Sequence, residues 1–355
     1  MSPAANSRAD TASTKSVELR SFKKPWPDLD GRVILVTGGT GSFGQAFTQA
    51  ALKLFKPAKL IIFSRDEMKQ YEMAQRFDDG KHPCMRYFIG DVRDVDRLEM
   101  AMRGVDVVIH AAALKHVPAA EYNPFECIHT NVMGAENVVK AAIRCGVEKV
   151  VALSTDKAAS PINLYGASKL ASDKIFVAAN HLSAGQSKFS VVRYGNVIGS
   201  RGSVVPLFRK LVAEGAGTIP LTDERMTRFW ITLPQGVNFV LSSLAMMRGG
   251  EIFVPKIPSM KIADVARAMA PDLPVRIVGI RPGEKLHETM ITEDDARMTR
   301  ALPDRYVIEP ALSFWSTDQY TDGEPLPDGF SYASNTNTEW LNEAGLKRLL
   351  AESGV

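Results

Sequence analysis

Tyr165 and Lys169 stand four residues apart in Tyr165-Gly166-Ala167-Ser168-Lys169, with Ser154-Thr155-Asp156-Lys157 just upstream. On a helix, side chains at that spacing lie one above the other on the same face. A lysine ammonium so close favours a phenolate, so it is expected to draw the tyrosine down from about 10 toward neutrality. A phenolate can remove a hydroxyl proton while a nicotinamide takes the hydride. Asp156 and Lys157 fall on the loop where a strand would end. Alcohol oxidation needs neither of them, so they point to a second chemical event after it. Tyr-x-x-x-Lys is also a common pattern on solvated helices, and it carries weight only beside a dinucleotide site.

Such a site is legible near the N-terminal end. Residues 33–37 (Val-Ile-Leu-Val-Thr) are a short apolar run rich in β-branched side chains, the pattern of a buried parallel strand. Gly38, Thr40, Gly41, Ser42, Phe43 and Gly44 follow, then an amphipathic stretch over about 45–55. The Gly38-x-x-Gly41-x-x-Gly44 spacing lets the backbone approach a pyrophosphate at a helix N-terminus, where free N–H groups and the dipole favour an anion. The second strand, 60–63, ends in Ser64-Arg65-Asp66, about twenty residues after the last glycine, where the adenosine ribose would lie. A hydroxyl and a guanidinium suit the 2′-phosphate of NADP, while Asp66 is the group that would accept the ribose hydroxyls of NAD. NADP is the expected cofactor. After a third strand at about 85–89, Asp91 and Val92 place a carboxylate within reach of an adenine amino group. The fourth strand, 107–110, runs into Ala111-Ala112-Ala113, small residues that permit close approach of the cofactor.

The elements that would position these groups follow from pattern. Short apolar runs alternate with helical segments to about residue 195, which predicts an α/β fold with a doubly wound parallel Rossmann sheet. A helix is expected over 124–145, a strand over 149–153, a helix from Tyr165 to about residue 180, and a strand over 189–194. Beyond Asn196, glycines and prolines punctuate shorter elements. The expected division is an N-terminal arm over 1–28, flexible or draped over a neighbour, and a Rossmann domain over 29–196. A smaller α/β substrate lobe over 197–330 follows, partly interleaved with the main sheet, then a tail over 331–355. From Ser313 the chain reads mostly as loop, closing in a helix near 339–350. The 355 residues carry a formal charge of +3 with 45% hydrophobic residues, and no basic tract of the kind that binds nucleic acid. Cys84, Cys127 and Cys145 are scattered, which fits a reducing, cytoplasmic compartment, and the six histidines show no metal-ligand spacing. There is no signal-peptide apolar core and no apolar span of membrane length.

With these residues in hand, the chain resembles the extended short-chain dehydrogenase/reductases that remodel nucleotide sugars. Within them it is most similar to the inverting UDP-N-acetylglucosamine 4,6-dehydratases that begin pseudaminic acid synthesis. The resemblance is carried by the stretches 37–44, 63–67, 113–117, 154–169, 193–196, 226–230 and 281–288. It spans roughly residues 30 to 350. The glycine motif and Tyr-x-x-x-Lys specify only the superfamily; Thr155-Asp156-Lys157 and Arg281-Pro282-Gly283-Glu284-Lys285 are narrower. Retaining dehydratases carry Asp-Glu where this chain has Asp156-Lys157, and 4-epimerases usually lack an acidic–basic pair there. The resemblance therefore implies dehydration with inversion at C5.

It also implies roles. Tyr165 takes the 4-hydroxyl proton as hydride leaves C4, Lys169 holds the ribose and tunes Tyr165, and Thr155 hydrogen-bonds near O4. Lys157, as a neutral amine, removes the C5 proton, and Asp156, protonated, assists loss of the 6-hydroxyl. Hydride returns to C6 and a proton reaches C5 from the opposite face. An Asp156 carboxylate would raise Lys157, the wrong direction for a base, unless desolvation or a shared proton offsets it. Arg281 is the diphosphate candidate and Glu284 the ribose partner. Asn196 and Lys115 reach the diphosphate or sugar, and Thr222 and Arg228 are further candidates. Lys69 and Val197 complete the cofactor set. The implied partners are a UDP-sugar and further copies of the chain, in a dimer or hexamer. The rival readings are a retaining dehydratase or 4-epimerase and, in another class, an NADP-binding redox sensor, against which the intact Tyr165, Lys169, Asp156 and Lys157 count.

Overall fold

The computed structural model describes residues 19–200, 203–310, 320 and 322–353. The alternating pattern becomes β1 (Val33–Thr37), α1 (Ser42–Leu54), β2 (Lys59–Ser64), α2 (Glu67–Arg76), β3 (Met85–Ile89), α3 (Val95–Met102) and β4 (Val107–His110). Then come α4 (Val117–Tyr122), α5 (Pro124–Ile128), α6 (Gly134–Cys145), β5 (Lys149–Thr155), α7 (Leu164–Leu182) and β6 (Lys188–Tyr194). Strands β3-β2-β1-β4-β5-β6 run side by side and parallel. The order reverses between β1 and β4, so their C-terminal ends open the crevice where doubly wound sheets bind ligands. The expected fold class is present.

Beyond residue 196 the chain serves two places. The elements are β7 (Asn196–Val197), α8 (Val204–Ala213), β8 (Ile219–Leu221), β9 (Thr227–Ile231), α9 (Leu233–Met246), β10 (Ile252–Pro255), β11 (Ser259–Lys261), α10 (Ile262–Met269) and β12 (Val275–Ile277). They continue with β13 (Thr289–Ile291), α11 (Glu293–Ala296), β14 (Thr299–Ala301), β15 (Arg305–Ile308), β16 (Glu324–Pro325), β17 (Tyr332–Ala333) and α12 (Glu343–Glu352). β10 joins β6 in parallel, and β15, β14 and β16 extend the same sheet antiparallel, making ten strands. The remaining strands form small sheets, two of which flank a second apolar cluster that holds Phe208, Trp230 and Met260. Leu346 and Leu349 of α12 are buried in that cluster, so the C-terminal helix packs as part of the lobe.

Two local outcomes differ from the sequence pattern. The helix expected over 124–145 is interrupted by a π turn at His129–Met133, between α5 and α6. The last residues of the expected arm are packed: Phe22 is buried against Phe239, and Arg20 donates to Glu339 at 2.6 Å. Residues 1–18 of that arm and much of the loop from Ser313 lie outside the described residues. The closing helix expected near 339–350 is α12, capped by Asn342, whose side chain accepts from the Gly345 N–H at 2.8 Å.

Two glycines explain the turn after β1. Gly38 has φ of +63°, and a Cβ there would meet the Ala112 backbone at 2.8 Å. At Gly44 a Cβ would run into the backbone of Gly39, so α1 packs onto its own turn only without a side chain. Among the described residues no helix is long and apolar enough to cross a membrane.

Candidate active site

Every residue expected at the cofactor, the chemistry or the sugar lines one cavity of about 920 Å³, except Gly44, which packs beneath it. The cavity lies off the C-terminal ends of β1, β4, β5 and β6.

β5 ends at Thr155, which caps a single 3-10 turn, Asp156–Ala158. The Thr155 hydroxyl donates to Asp156 Oδ1 at 2.9 Å, and Lys157 Nζ donates to the same oxygen at 3.1 Å. Asp156 is buried, and its Oδ2 has no partner. Asn163 caps α7 by accepting from the Gly166 N–H at 2.7 Å, which sets Tyr165 in the first turn. The same side chain donates to the Gly283 carbonyl at 2.7 Å, joining the Arg281–Glu284 loop to the start of α7.

Tyr165, Lys169 and Asp173 form a ladder along one face of α7. The expectation that Lys169 draws Tyr165 toward neutrality is overturned. Burial pushes the phenol up to about 12, and the groups that work against this are Lys157 and Thr155. Lys169 is itself lowered by burial, with Asp173 acting in the other direction. Asp173 accepts from Ser154 at 2.8 Å and from Arg193 at 3.3 Å, and these two residues are register partners on β5 and β6. Arg193 also donates to the Met290 carbonyl at 2.9 Å, tying the ladder to β13. His110, at the end of β4, is held neutral: burial and then Lys169 depress it to about 3, and its Nδ1 pairs with the Thr37 hydroxyl at 2.8 Å.

Lys157 sits between two carboxylates. Its Nζ lies 3.1 Å from Asp156 and 3.4 Å from Glu288. Burial works to lower this ammonium, but Asp156 and Glu288 outweigh it and the net shift is upward. In the substrate-free chain Lys157 is therefore charged, and the neutral amine expected from the resemblance requires its proton to move.

At the nucleotide end, the Ser64 hydroxyl is buried and lies 2.8 Å from that of Thr40. Asp66 is committed to its own helix: Oδ1 accepts from the Lys69 N–H at 3.0 Å and Oδ2 from Lys69 Nζ at 2.6 Å. Arg65 stays exposed, 3.6 Å from Asp91, whose carboxylate is gripped by Arg93 at 2.8 Å. Val92, Ala111 and Val197 supply apolar wall.

At the far end Asn196 lines the cavity, and its buried Oδ1 has no partner among the described residues. Arg281 is exposed, 3.9 Å from Glu284, whose Oε2 is buried and also without a partner. Lys115 lines the cavity beside them. The Thr222 hydroxyl donates to Met226 Sδ at 3.3 Å. Arg228 spends its donors on the carbonyls of Thr227, Leu286 and Lys285 at 2.7, 3.1 and 2.8 Å, so it holds the loop before β13.

Sequence reasoning missed three residues. Asn131, in the π turn, clamps both backbone groups of Leu114 and donates to Ser168 at 2.9 Å, fixing the Lys115 loop to α7. No local pattern marks a π insertion in a run that reads as one helix. Asn163 was legible as a helix cap three residues before Gly166. Glu288 stood in the stretch 281–288 without a role, although a second carboxylate four residues after Glu284 was the available signal.

The family of proteins described as "Polysaccharide biosynthesis protein" matches residues 34–310. A UDP-N-acetylglucosamine 4,6-dehydratase (inverting) of Campylobacter jejuni is 58% identical over 89% of this chain and 96% of its own length. A UDP-glucose 4-epimerase of Rickettsia canadensis is 40% identical over 90% of this chain and 95% of its own. Among solved structures, Pen from Bacillus thuringiensis superimposes with a TM-score of 0.84 at 35% identity, covering 92% of this chain and 99% of that one. DesIV, a dTDP-glucose 4,6-dehydratase from Streptomyces venezuelae with NAD bound, gives 0.63 at 28% identity over 71% of this chain and 86% of that one.

Proposed function

We infer that this chain, which belongs to the polysaccharide biosynthesis protein family, is a UDP-N-acetylglucosamine 4,6-dehydratase that inverts C5. The product is UDP-2-acetamido-2,6-dideoxy-β-L-arabino-hexos-4-ulose. The observation that carries this reading is the Asp156–Lys157 pair, joined at 3.1 Å in the same cavity as Tyr165.

The nucleotide end fits a dinucleotide: the turn at Gly38 and Gly44 leaves backbone N–H groups open at the start of α1. NADP is the proposed cofactor, because Asp66 is occupied by Lys69 while Arg65 is exposed for a 2′-phosphate. Bound there, it supplies the hydride acceptor for C4 and the hydride donor for C6. Tyr165 receives the proton of the 4-hydroxyl, with Thr155 beside it and Lys169 in the next turn. The resulting ketone acidifies C5, and Lys157 takes that proton as an amine. Asp156 delivers a proton to the departing 6-hydroxyl, which leaves as water. A proton then reaches C5 from the other face. Arg281 answers the diphosphate, Asn196 and Lys115 the diphosphate or sugar, and Glu284 the ribose, with Thr222 lining the same cavity. Further copies of the chain, in a dimer or hexamer, are the proposed partners beside the UDP-sugar.

A 4-epimerase reading draws on the Rickettsia relative. It needs Tyr165 and Lys169 alone and leaves the charges at Asp156, Lys157 and Glu288 without work. The test is incubation with UDP-N-acetylglucosamine and catalytic NADP⁺, followed by product NMR. A 4-keto-6-deoxy sugar of L-arabino configuration is expected. The D-xylo ketone would make the enzyme a retaining dehydratase, and the C4 epimer alone would make it an epimerase.

A further inference from the structure

Glu288 enters the cavity from the loop before β13, and its backbone is fixed on both sides. Its N–H donates to Ser334 Oγ at 2.9 Å, and its carbonyl accepts from the Ser334 N–H at 2.8 Å. The side chain is buried and reaches Lys157 Nζ at 3.4 Å. Lys157 thus bridges two carboxylates, with Nζ between Asp156 Oδ1 and Glu288 Oε1. Each carboxylate keeps one buried oxygen without a partner, Asp156 Oδ2 and Glu288 Oε2. A buried carboxylate oxygen with no donor is costly as an anion and is a ready place for a proton.

We propose that Glu288 is a positioning residue that takes the Nζ proton from Lys157 when substrate fills the cavity, and so makes Lys157 the base at C5. The inference rests on the dehydratase reading above. One N–H bond breaks at Lys157 and one O–H bond forms at Glu288. Lys157 then gains the C5 proton and hands it through Asp156 to the departing hydroxyl, which leaves as water, and the proton stored on Glu288 returns to Lys157. The three groups end as they began, and the C5 proton is in effect discarded with water.

The surroundings fit a carboxylate of adjustable charge. The groups facing Glu288 are Lys157 and Asp156 from the turn after β5, Arg228 of β9 at 3.7 Å, and Lys285 of its own loop. Burial raises the Glu288 carboxyl and Asp156 adds to this, while Lys157, Arg228 and Lys285 act downward. Lys285 is anchored on the Ala159 carbonyl at 2.6 Å, and Arg228 on three carbonyls, so both are fixed cations. Asp156 is a poorer store, because Oδ1 already accepts from Thr155 and Lys157.

The experiment compares wild type with Glu288→Gln and Glu288→Asp in D₂O, following cofactor reduction and C5 deuterium exchange between about pH 6 and 9. In wild type the proton moves internally, and C5 exchange taken relative to cofactor reduction at the same pH is flat. In Glu288→Gln, cofactor reduction stays within about twofold while C5 exchange falls about 100-fold near neutrality, within the usual range for a lost proton-transfer partner. The residual exchange, again relative to cofactor reduction at the same pH, then rises about tenfold per pH unit, because Lys157 must lose its proton to solvent. Glu288→Asp retains a carboxylate and restores the flat profile at a reduced rate. Equal loss of reduction and exchange with an unchanged pH profile, in either variant, overturns the proposal in favour of a purely structural role. Undiminished exchange in Glu288→Gln overturns it alone, whereas a wild type without any C5 exchange overturns the dehydratase reading as well.

Discussion

The hydroxyls of Thr40 and Ser64 meet at 2.8 Å, so the side chain that ends β2 is tied to the glycine turn. Beside it, Arg65 is the exposed cation to which the 2′-phosphate is assigned. Arg65→Ala is expected to weaken NADP binding at least tenfold, the loss of roughly one charge-assisted hydrogen bond, with NAD binding little changed. Titration of the purified variant with both cofactors checks this. Equal loss for both would show that Arg65 does not read the 2′-phosphate.

Tyr165→Phe deletes the oxygen that receives the 4-hydroxyl proton. In a single turnover with substrate, no reduced-cofactor absorbance is expected from this variant. In wild type the phenol is held up at about 12 by burial, so the phenolate fraction grows with pH throughout the neutral range. The rate of the absorbance burst should therefore climb with pH, by up to about tenfold per unit. A normal burst in the phenylalanine variant would remove Tyr165 from the first step.

How much of this was legible without coordinates depends on how local the signal was. The parallel strands were written in apolar runs such as 33–37 and 107–110, because both faces of such strands are buried and the run needs no partner to be read. Tyr165, Lys169, Asp156 and Lys157 were likewise carried by spacing along the chain. The state of Tyr165 was not, because the cation that acts on it is Lys157, from a different turn, and burial outweighs it. Glu288 and Asn131 escaped for the same reason. Their roles come from contacts beyond any local spacing, Glu288 with the distant Lys157 and Asn131 with Leu114, 17 residues before it, and a π turn leaves no mark on a helical pattern.

His110 gives the fold a pH dependence of definite sign. Its folded value of about 3 lies below its ordinary 6.5, so between those limits the unfolded chain binds the proton first. The stability it contributes is whole above about 6.5 and is lost as pH falls toward 3. Urea unfolding of wild type should weaken across that window, with roughly 1 kcal/mol per pH unit arising from this residue. His110→Gln should have a shallower slope by that amount. Identical slopes would mean that His110 is protonated in the folded protein.

Lys157 at C5 is the centre of the account, and its removal should separate oxidation from elimination. The measurement is deuterium at C5, by NMR, after single-turnover reaction of wild type and Lys157→Ala in D₂O. Wild type is expected to place deuterium at C5 of an L-arabino product. Lys157→Ala is expected to reduce some bound cofactor, yet to leave C5 of the recovered sugar protonated and release almost no ketone, a loss of about 100-fold or more. Near-normal turnover with C5 deuterium in Lys157→Ala would contradict the account and assign the C5 base to another group.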